Sequence, residues 1–240
     1  MNKVKHIYDI MLDAYGRQGW WPIQSLAKTQ GFDKQGYAKE SYIHPEKPEH
    51  IFEIILGAIL TQNTAWTNVE KALAELHHLG WMHPSTISKL PHAKLASTIR
   101  STGYFNQKAK RLKLISSYFL DDFKNSFSGW HTQDIELLRT ELLSMHGIGP
   151  ETADSILLYA FKRPSFVVDA YTKRIFSRIG MIHKDMTYDK IKCIFEDALP
   201  LDVPIFNEYH ALIVEHAKRN CKTKPICEGC VLGKICEKRI

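Results

Sequence analysis

The side chains best suited to chemistry sit in the second half of the 240-residue chain. Cys221, Cys227, Cys230 and Cys236 fall within sixteen residues of one another. In an intracellular protein, where structural disulfides are uncommon, four thiols grouped in this way point to a metal site. By ligand type alone, four cysteines serve tetrahedral zinc and a [4Fe–4S] cluster equally well. Cys193 stands apart and reads as a core residue.

A second set of residues precedes the cysteines. The stretch LLSMHGIGPETADSILLYA (142–160) reads as a helix ending near Met145, a tight turn and a new helix. Gly147 and Gly149 permit positive φ and close backbone approach, and Pro150 suits a first helical position, where its missing N–H costs nothing. The N–H groups at that helix start could hold a phosphate oxygen, with Ile148 pinning the turn to the protein. A plain connection between helices explains the same glycines. Farther on, Phe166, Val167 and Val168 lead into Asp169, which opens another helix. Such an aspartate serves as an N-cap. A carboxylate beside a phosphate-holding turn also suits cleavage of an N-glycosidic bond, because positive charge builds on the sugar as the base departs. The two roles are compatible.

Helices must position these groups. Apolar residues recur at helical spacing at Val4, Ile7, Met11; Ile51, Ile54, Ile55, Ala58; Val69, Leu73, Leu76; Leu112, Ile115, Phe119; Leu138, Leu142; Ile191, Phe195; and Phe206, Tyr209, Ile213. Strict alternation is nearly absent, so the fold is expected to be all-α, with about ten helices joined by short loops. Residues 23–48 are polar, rich in Gly and Lys and closed by two prolines, which predicts a long loop or one irregular short helix. With 44% hydrophobic and 24% charged residues the chain suits a folded soluble protein. Its net charge of +6 is compatible with a polyanionic partner without establishing one. No apolar stretch approaches the length of a membrane span, and the amphipathic first residues do not form a signal-peptide core.

Together GIGPETA, VVDAYTKRI and the cysteine tail resemble the endonuclease III branch of the helix–hairpin–helix DNA glycosylase superfamily. LGAILTQNTAW (56–66) and STGYFNQKAKRL (101–112) extend the resemblance to nearly everything except 23–48. It implies two helical domains with a helix–hairpin–helix motif and the DNA cleft between them. Residues 49–163 would form a barrel domain ending in the hairpin, and 1–48 with 164–240 a terminal-segment domain carrying the cysteines. It implies Asp169 as the catalytic carboxylate, and Gln62 and Tyr104 as the groups that fill the space left by a flipped base. Gly147, Ile148 and Gly149 would contact DNA. Lys108, in the basic run with Lys110, Arg111 and Lys113, reads as a phosphate contact or as part of a solvated helix face. Lys222 and Lys224 would offer a basic finger to the backbone. The resemblance favours the [4Fe–4S] cluster. Five residues rather than the family's usual six separate the first two cysteines, however, which keeps zinc as the alternative.

Bifunctional members of that branch carry a lysine two residues after the second hairpin glycine; here the position is Glu151. GWWP (19–22), LTQNTAW and GYFNQKAKR most resemble endonuclease III-like 3-methyladenine DNA glycosylases. Trp21 and Trp66 then read as an aromatic slot for a cationic alkylated purine, with core packing as the plainer explanation. The expectation is a monofunctional base-excision-repair glycosylase, monomeric and intracellular, acting on double-stranded DNA with a damaged base and having no membrane partner. A glycosylase for oxidised or mismatched pyrimidines and a non-catalytic DNA-binding protein are the alternatives.

Overall fold

The structure, a computed structural model, describes residues 2–39 and 41–238. Every regular element among them is helical. The helices are α1 (Lys3–Tyr15), α2 (Pro48–Leu60), α3 (Trp66–His78), α4 (Pro84–Lys89), α5 (His92–Thr98), α6 (Phe105–Tyr118) and α7 (Leu120–Lys124). They continue with α8 (Ser128–Thr132), α9 (Ile135–Ser144), α10 (Pro150–Ser155), α11 (Ala170–Ile179), α12 (Tyr188–Glu196) and α13 (Val203–Arg219). Tighter 3₁₀ turns occupy Gln24–Leu26 and Arg100–Thr102, and a wider π turn covers Ile156–Ala160. The thirteen helices exceed the expected ten because α4, α7 and α8 have only six, five and five residues, too few to show a period.

The chain divides into two compact units, one of residues 1–20, 38–42 and 164–240, the other of 21–37 and 43–163. Residues 21–37 and 43–48 therefore group with the central helices, not with the terminal segments as the sequence suggested. In the central unit α2 is buried at every residue from His50 to Leu60, the pattern of a helix enclosed on all sides. It packs against α3, α6, α10 and the π turn. Glu53 is the one carboxylate on that stretch; it accepts from the backbone N–H groups of Gln24 and Ser25 and lies 2.8 Å from His77 Nε2. This ties the largely irregular 21–37 segment to α2 through its one 3₁₀ turn. Gly36 takes φ +88° with Ile23 O where a Cβ would project, and its carbonyl accepts from Ile23 N at 2.9 Å. Only glycine fits there.

In the other unit α1 and α11 each pack on α13. Val4, Ile7 and Met11 form the buried stripe of α1, and the Tyr209 hydroxyl donates to Val4 O at 2.7 Å. Phe166 stacks on Phe195 at 4.1 Å, with Phe176 and Phe206 edge-on around them. Cys193 is exposed, a correction to its reading as a core residue: the buried face of α12 is Ile191, Lys192 and Phe195. Among the described residues no helix is long and apolar enough to cross a membrane.

Candidate active site

The hairpin lies in the central unit. Its helices α9 and α10 are joined by a two-pronged ion pair: Arg139 donates to both carboxylate oxygens of the fully buried Asp154, at 2.8 and 3.2 Å. A planar guanidinium matched to a carboxylate fixes orientation as well as distance. Between the helices, Ile148 N donates to Met145 O at 3.1 Å and the Ile148 side chain is buried. Gly147 adopts φ +87° with the Arg111 side chain lying where a Cβ would go. Gly149 caps α10, and among the described residues nothing lies within 4 Å of the point where its Cβ would project. Pro150 takes the first helical position and Glu151 is exposed in the first turn, where negative charge is favourable.

Gln62 follows the end of α2, half-buried, and reaches the hairpin. Its Nε2 donates to Gly147 O at 3.1 Å and to Thr152 Oγ1 at 2.9 Å, while its Oε1 accepts from Arg111 Nη1. Tyr104 is 68% exposed, and its backbone is left-handed at φ 45°, ψ 29°, immediately before α6. A bulky residue with positive φ is strained, and the strain here presents the ring to solvent. Lys108 requires a correction. It is 1% exposed, and its Nζ donates to Leu60 O at 2.8 Å and Thr102 O at 2.7 Å. Held by two backbone carbonyls inside the protein, it neither contacts phosphate nor belongs to a solvated face. Burial first, and the charge of Arg111 second, bring its pKa down to about 8.

The two tryptophans do meet. Trp21 and Trp66 contact edge to face with centroids 5.1 Å apart, and Tyr159 joins Trp21 at 5.0 Å. Gly57 of α2 leaves room for the Trp21 indole, which lies 3.3 Å from where a Cβ would stand. Trp66 is half-buried at the start of α3, and its buried Nε1–H has no hydrogen-bond partner among the described residues. A buried indole N–H ordinarily has one. Tyr159 was missed from sequence; it sits in the π turn, where the wider coil breaks the periodicity that would place it.

Asp169 lies in the terminal unit as the N-cap of α11. Its Oδ1 accepts from Thr172 N at 2.7 Å and Thr172 Oγ1 at 2.8 Å. Its Oδ2 is 3.6 Å from His210 Nε2 on α13. Burial alone would raise the carboxyl pKa, but His210 and the two Thr172 donors together hold it below the ordinary value. The group is thus a buried carboxylate kept ionised, with one oxygen committed to the cap and the other toward an imidazole. His210, edge-on to Trp20 at 5.8 Å, was also missed from sequence, since no spacing among the twelve histidines marks it.

The cysteine tail follows α13. Arg174 Nε donates to Cys221 O at 2.9 Å, and Arg178 donates to Lys222 O, to Thr223 O and to Cys221 Sγ at 3.3 Å. Two arginines of α11 thereby fix the first loop of the tail and leave Lys222 and Lys224 exposed. All four cysteines line one small cavity with Ile175, Ile179 and Leu232. Desolvation, opposed by the Leu232 amide and reinforced by the other three thiols, pushes the Cys230 pKa up. Among the described residues no group of three or more Cys, His, Asp or Glu is drawn together as for a single metal ion.

Residues 56–201 match the family described as HhH-GPD superfamily base excision DNA repair protein. A provisionally named DNA repair glycosylase of Methanocaldococcus jannaschii is 45% identical over 231 residues, covering 96% of this chain and 94% of that protein. Endonuclease III of Sulfolobus acidocaldarius is 31% identical over 199 residues, or 80% and 83% of the two chains. Among solved structures, the H. pylori 3-methyladenine DNA glycosylase bound to 1,N6-ethenoadenine matches with TM-score 0.62 and 33% identity over 70% of this chain and 85% of that one. A non-covalent endonuclease III–DNA complex shares the fold, with TM-score 0.74 and 18% identity over 98% of this chain and 94% of that one.

Proposed function

The chain belongs to the HhH-GPD superfamily of base excision DNA repair proteins and is an endonuclease III-like DNA glycosylase; from that premise we propose that it releases a flipped alkylated purine, of the 3-methyladenine kind, from double-stranded DNA without cutting the strand. The observation that carries the substrate class is the grouping of Trp21, Trp66 and Tyr159 with a buried Trp66 N–H that finds no hydrogen-bond partner among the described residues. Alkylation places positive charge on the purine, and a cationic ring is held by electron-rich faces through stacking and cation–π attraction. The indole N–H would pair with an acceptor on the base edge. The likeness to the H. pylori enzyme supports the same class.

In the proposed reaction the bond between the sugar's anomeric carbon and the base nitrogen breaks, and its electron pair leaves with the base. The positively charged alkylated purine is already activated to depart, so the protein's task is to stabilise the cationic sugar. Asp169 supplies that negative charge. Water then adds to the anomeric carbon and gives up its proton, leaving an abasic sugar and the free base. Glu151 stands where an amine would be needed for a Schiff base, and a carboxylate cannot form one. Tyr104 and Gln62 would occupy the space left by the base. The hairpin amides around Gly147, Ile148 and Gly149 would hold phosphate, and Lys222 and Lys224 would meet the backbone.

Cys221, Cys227, Cys230 and Cys236 would hold a [4Fe–4S] cluster; the support is the single cavity that all four thiols line. A zinc ion would have to draw four sulfurs to about 2.3 Å of one point. The cluster's contribution would be structural, fixing the loop that carries Lys222 and Lys224.

The test is a set of duplexes each bearing one lesion, incubated with enzyme and then split between alkali and borohydride. Alkali should reveal abasic sites at alkylated purines, and borohydride should trap no protein–DNA adduct. Efficient trapping would overturn the monofunctional reading, and release confined to oxidised or mismatched pyrimidines would overturn the substrate class.

A further inference from the structure

We infer that Lys108 is a positioning residue, whose buried ammonium locks the turn carrying Gln62 to the turn carrying Tyr104. The inference rests on the proposal that these two side chains fill the space vacated by a flipped base. Leu60, whose carbonyl accepts from Lys108, is the last residue of α2 and stands two residues before Gln62. Thr102, the other acceptor, ends a 3₁₀ turn two residues before Tyr104. Both carbonyls lie at helix ends, where intrahelical donors run out. One compact group with several donors serves both, and its charge suits the carbonyl end of α2.

Arg111, one turn farther along α6, completes the arrangement. It donates to the Gln62 side-chain oxygen and packs against Gly147. Helix α6 thus presents Lys108 to the backbone of one turn and Arg111 to the side chain it carries, while its own N-cap is Tyr104. Gly103 at φ +66° and Tyr104 at φ 45° give the second turn two consecutive residues with positive φ, and the left-handed Tyr104 is a strained position that persists only when its surroundings impose it. Burying an ammonium is unfavourable, and a methionine of similar length would fill the same space without that penalty. What the methionine lacks is any means of holding two carbonyls at once.

The experiment measures single-turnover release of one alkylated purine from two duplexes, with the lesion paired normally or opposite an abasic site. A base that is already unpaired needs less help to leave the stack. The ratio of the two rates therefore reports on the extrusion machinery, whereas ordinary destabilisation lowers both rates alike. Tyr104→Ala should slow the paired substrate ~10-fold or more and the unpaired one less than ~2-fold. Lys108→Met should reproduce that change in ratio. In the Tyr104→Ala background it should add less than ~2-fold, because the two residues act as one unit. Equal losses on both duplexes, or a wild-type ratio, in Lys108→Met would overturn the inference. A wild-type ratio in Tyr104→Ala would instead overturn the base-replacement reading beneath it. Lys108→Arg keeps the charge but widens the donor head, and it carries the same test if the methionine variant does not fold: a lowered ratio supports the inference, and an unchanged one overturns it.

Discussion

Replacing Asp169 by Asn separates the capping role from the charge. An asparagine oxygen can take over the bonds from Thr172 N and Thr172 Oγ1, now 2.7 and 2.8 Å long, so α11 keeps its cap. Asn and Asp are comparable N-caps, and the loss of a negative charge at a helix start costs about 0.3–1 kcal/mol. For a chain of this size that lowers Tm by roughly 2–4 °C at most. Catalysis should suffer far more. Removing one preorganised electrostatic contact to the transition state typically costs ~3–4 kcal/mol, or ~100- to 1,000-fold in rate. The assay is single-turnover release of an alkylated purine, with Tm and affinity for abasic-site DNA measured on the same preparation. The wild-type carboxyl is held below its ordinary value of 3.8, so its protonation should not limit the rate above that pH. His210→Asn removes a named cause of that depression and should move the acidic limb to higher pH. A folded Asp169→Asn protein that binds normally and cleaves within ~3-fold of wild type would refute the assignment of the transition-state charge to Asp169.

Trp66→Ala and Trp21→Ala should each weaken binding of lesion DNA by ~1–3 kcal/mol while leaving abasic-site DNA nearly untouched, since no base then needs stacking; equal losses on both would mark the rings as packing alone. The purified protein should be yellow-brown with about four irons per chain, and Cys221→Ser should lose iron and DNA affinity together; one zinc and no iron in anaerobically prepared protein would overturn the cluster. Lys108 should leave a signature in stability: with a pKa of about 8 when folded against 10.5 when exposed, the folded chain binds fewer protons between those values, so stability rises with pH across that window. The increment is roughly 3 kcal/mol, and Lys108→Met should lack it; parallel Tm–pH profiles for the two proteins would refute the burial of the charge.

What the sequence disclosed followed the range over which each feature is determined. The hairpin was legible because its glycines, its proline and the cap at Asp169 are local requirements of backbone geometry, met within a few residues. Trp21 and Trp66 were recognisable through motifs that surround each separately, but Tyr159 depends on a π turn that shifts the register, and its ring ends beside Trp21 for a reason no window of sequence contains. His210 lies forty-one positions from Asp169 and owes its place to the packing of α13 on α11. Lys108 differs from these, because its burial was readable. The interior face of α6 is Lys108, Ala109, Leu112, Ile115 and Ser116, and positions 108, 112 and 115 are spaced as one helical stripe. The charge composition of the run Lys108, Lys110, Arg111 and Lys113 suggested an outward face, while the period placed its first lysine inside. Period should outrank composition in such a conflict, because a helix cannot turn one side chain outward without turning its whole face. A lysine on an apolar stripe must find acceptors in the interior, and the nearest ones here are the carbonyls that end α2 and precede Tyr104.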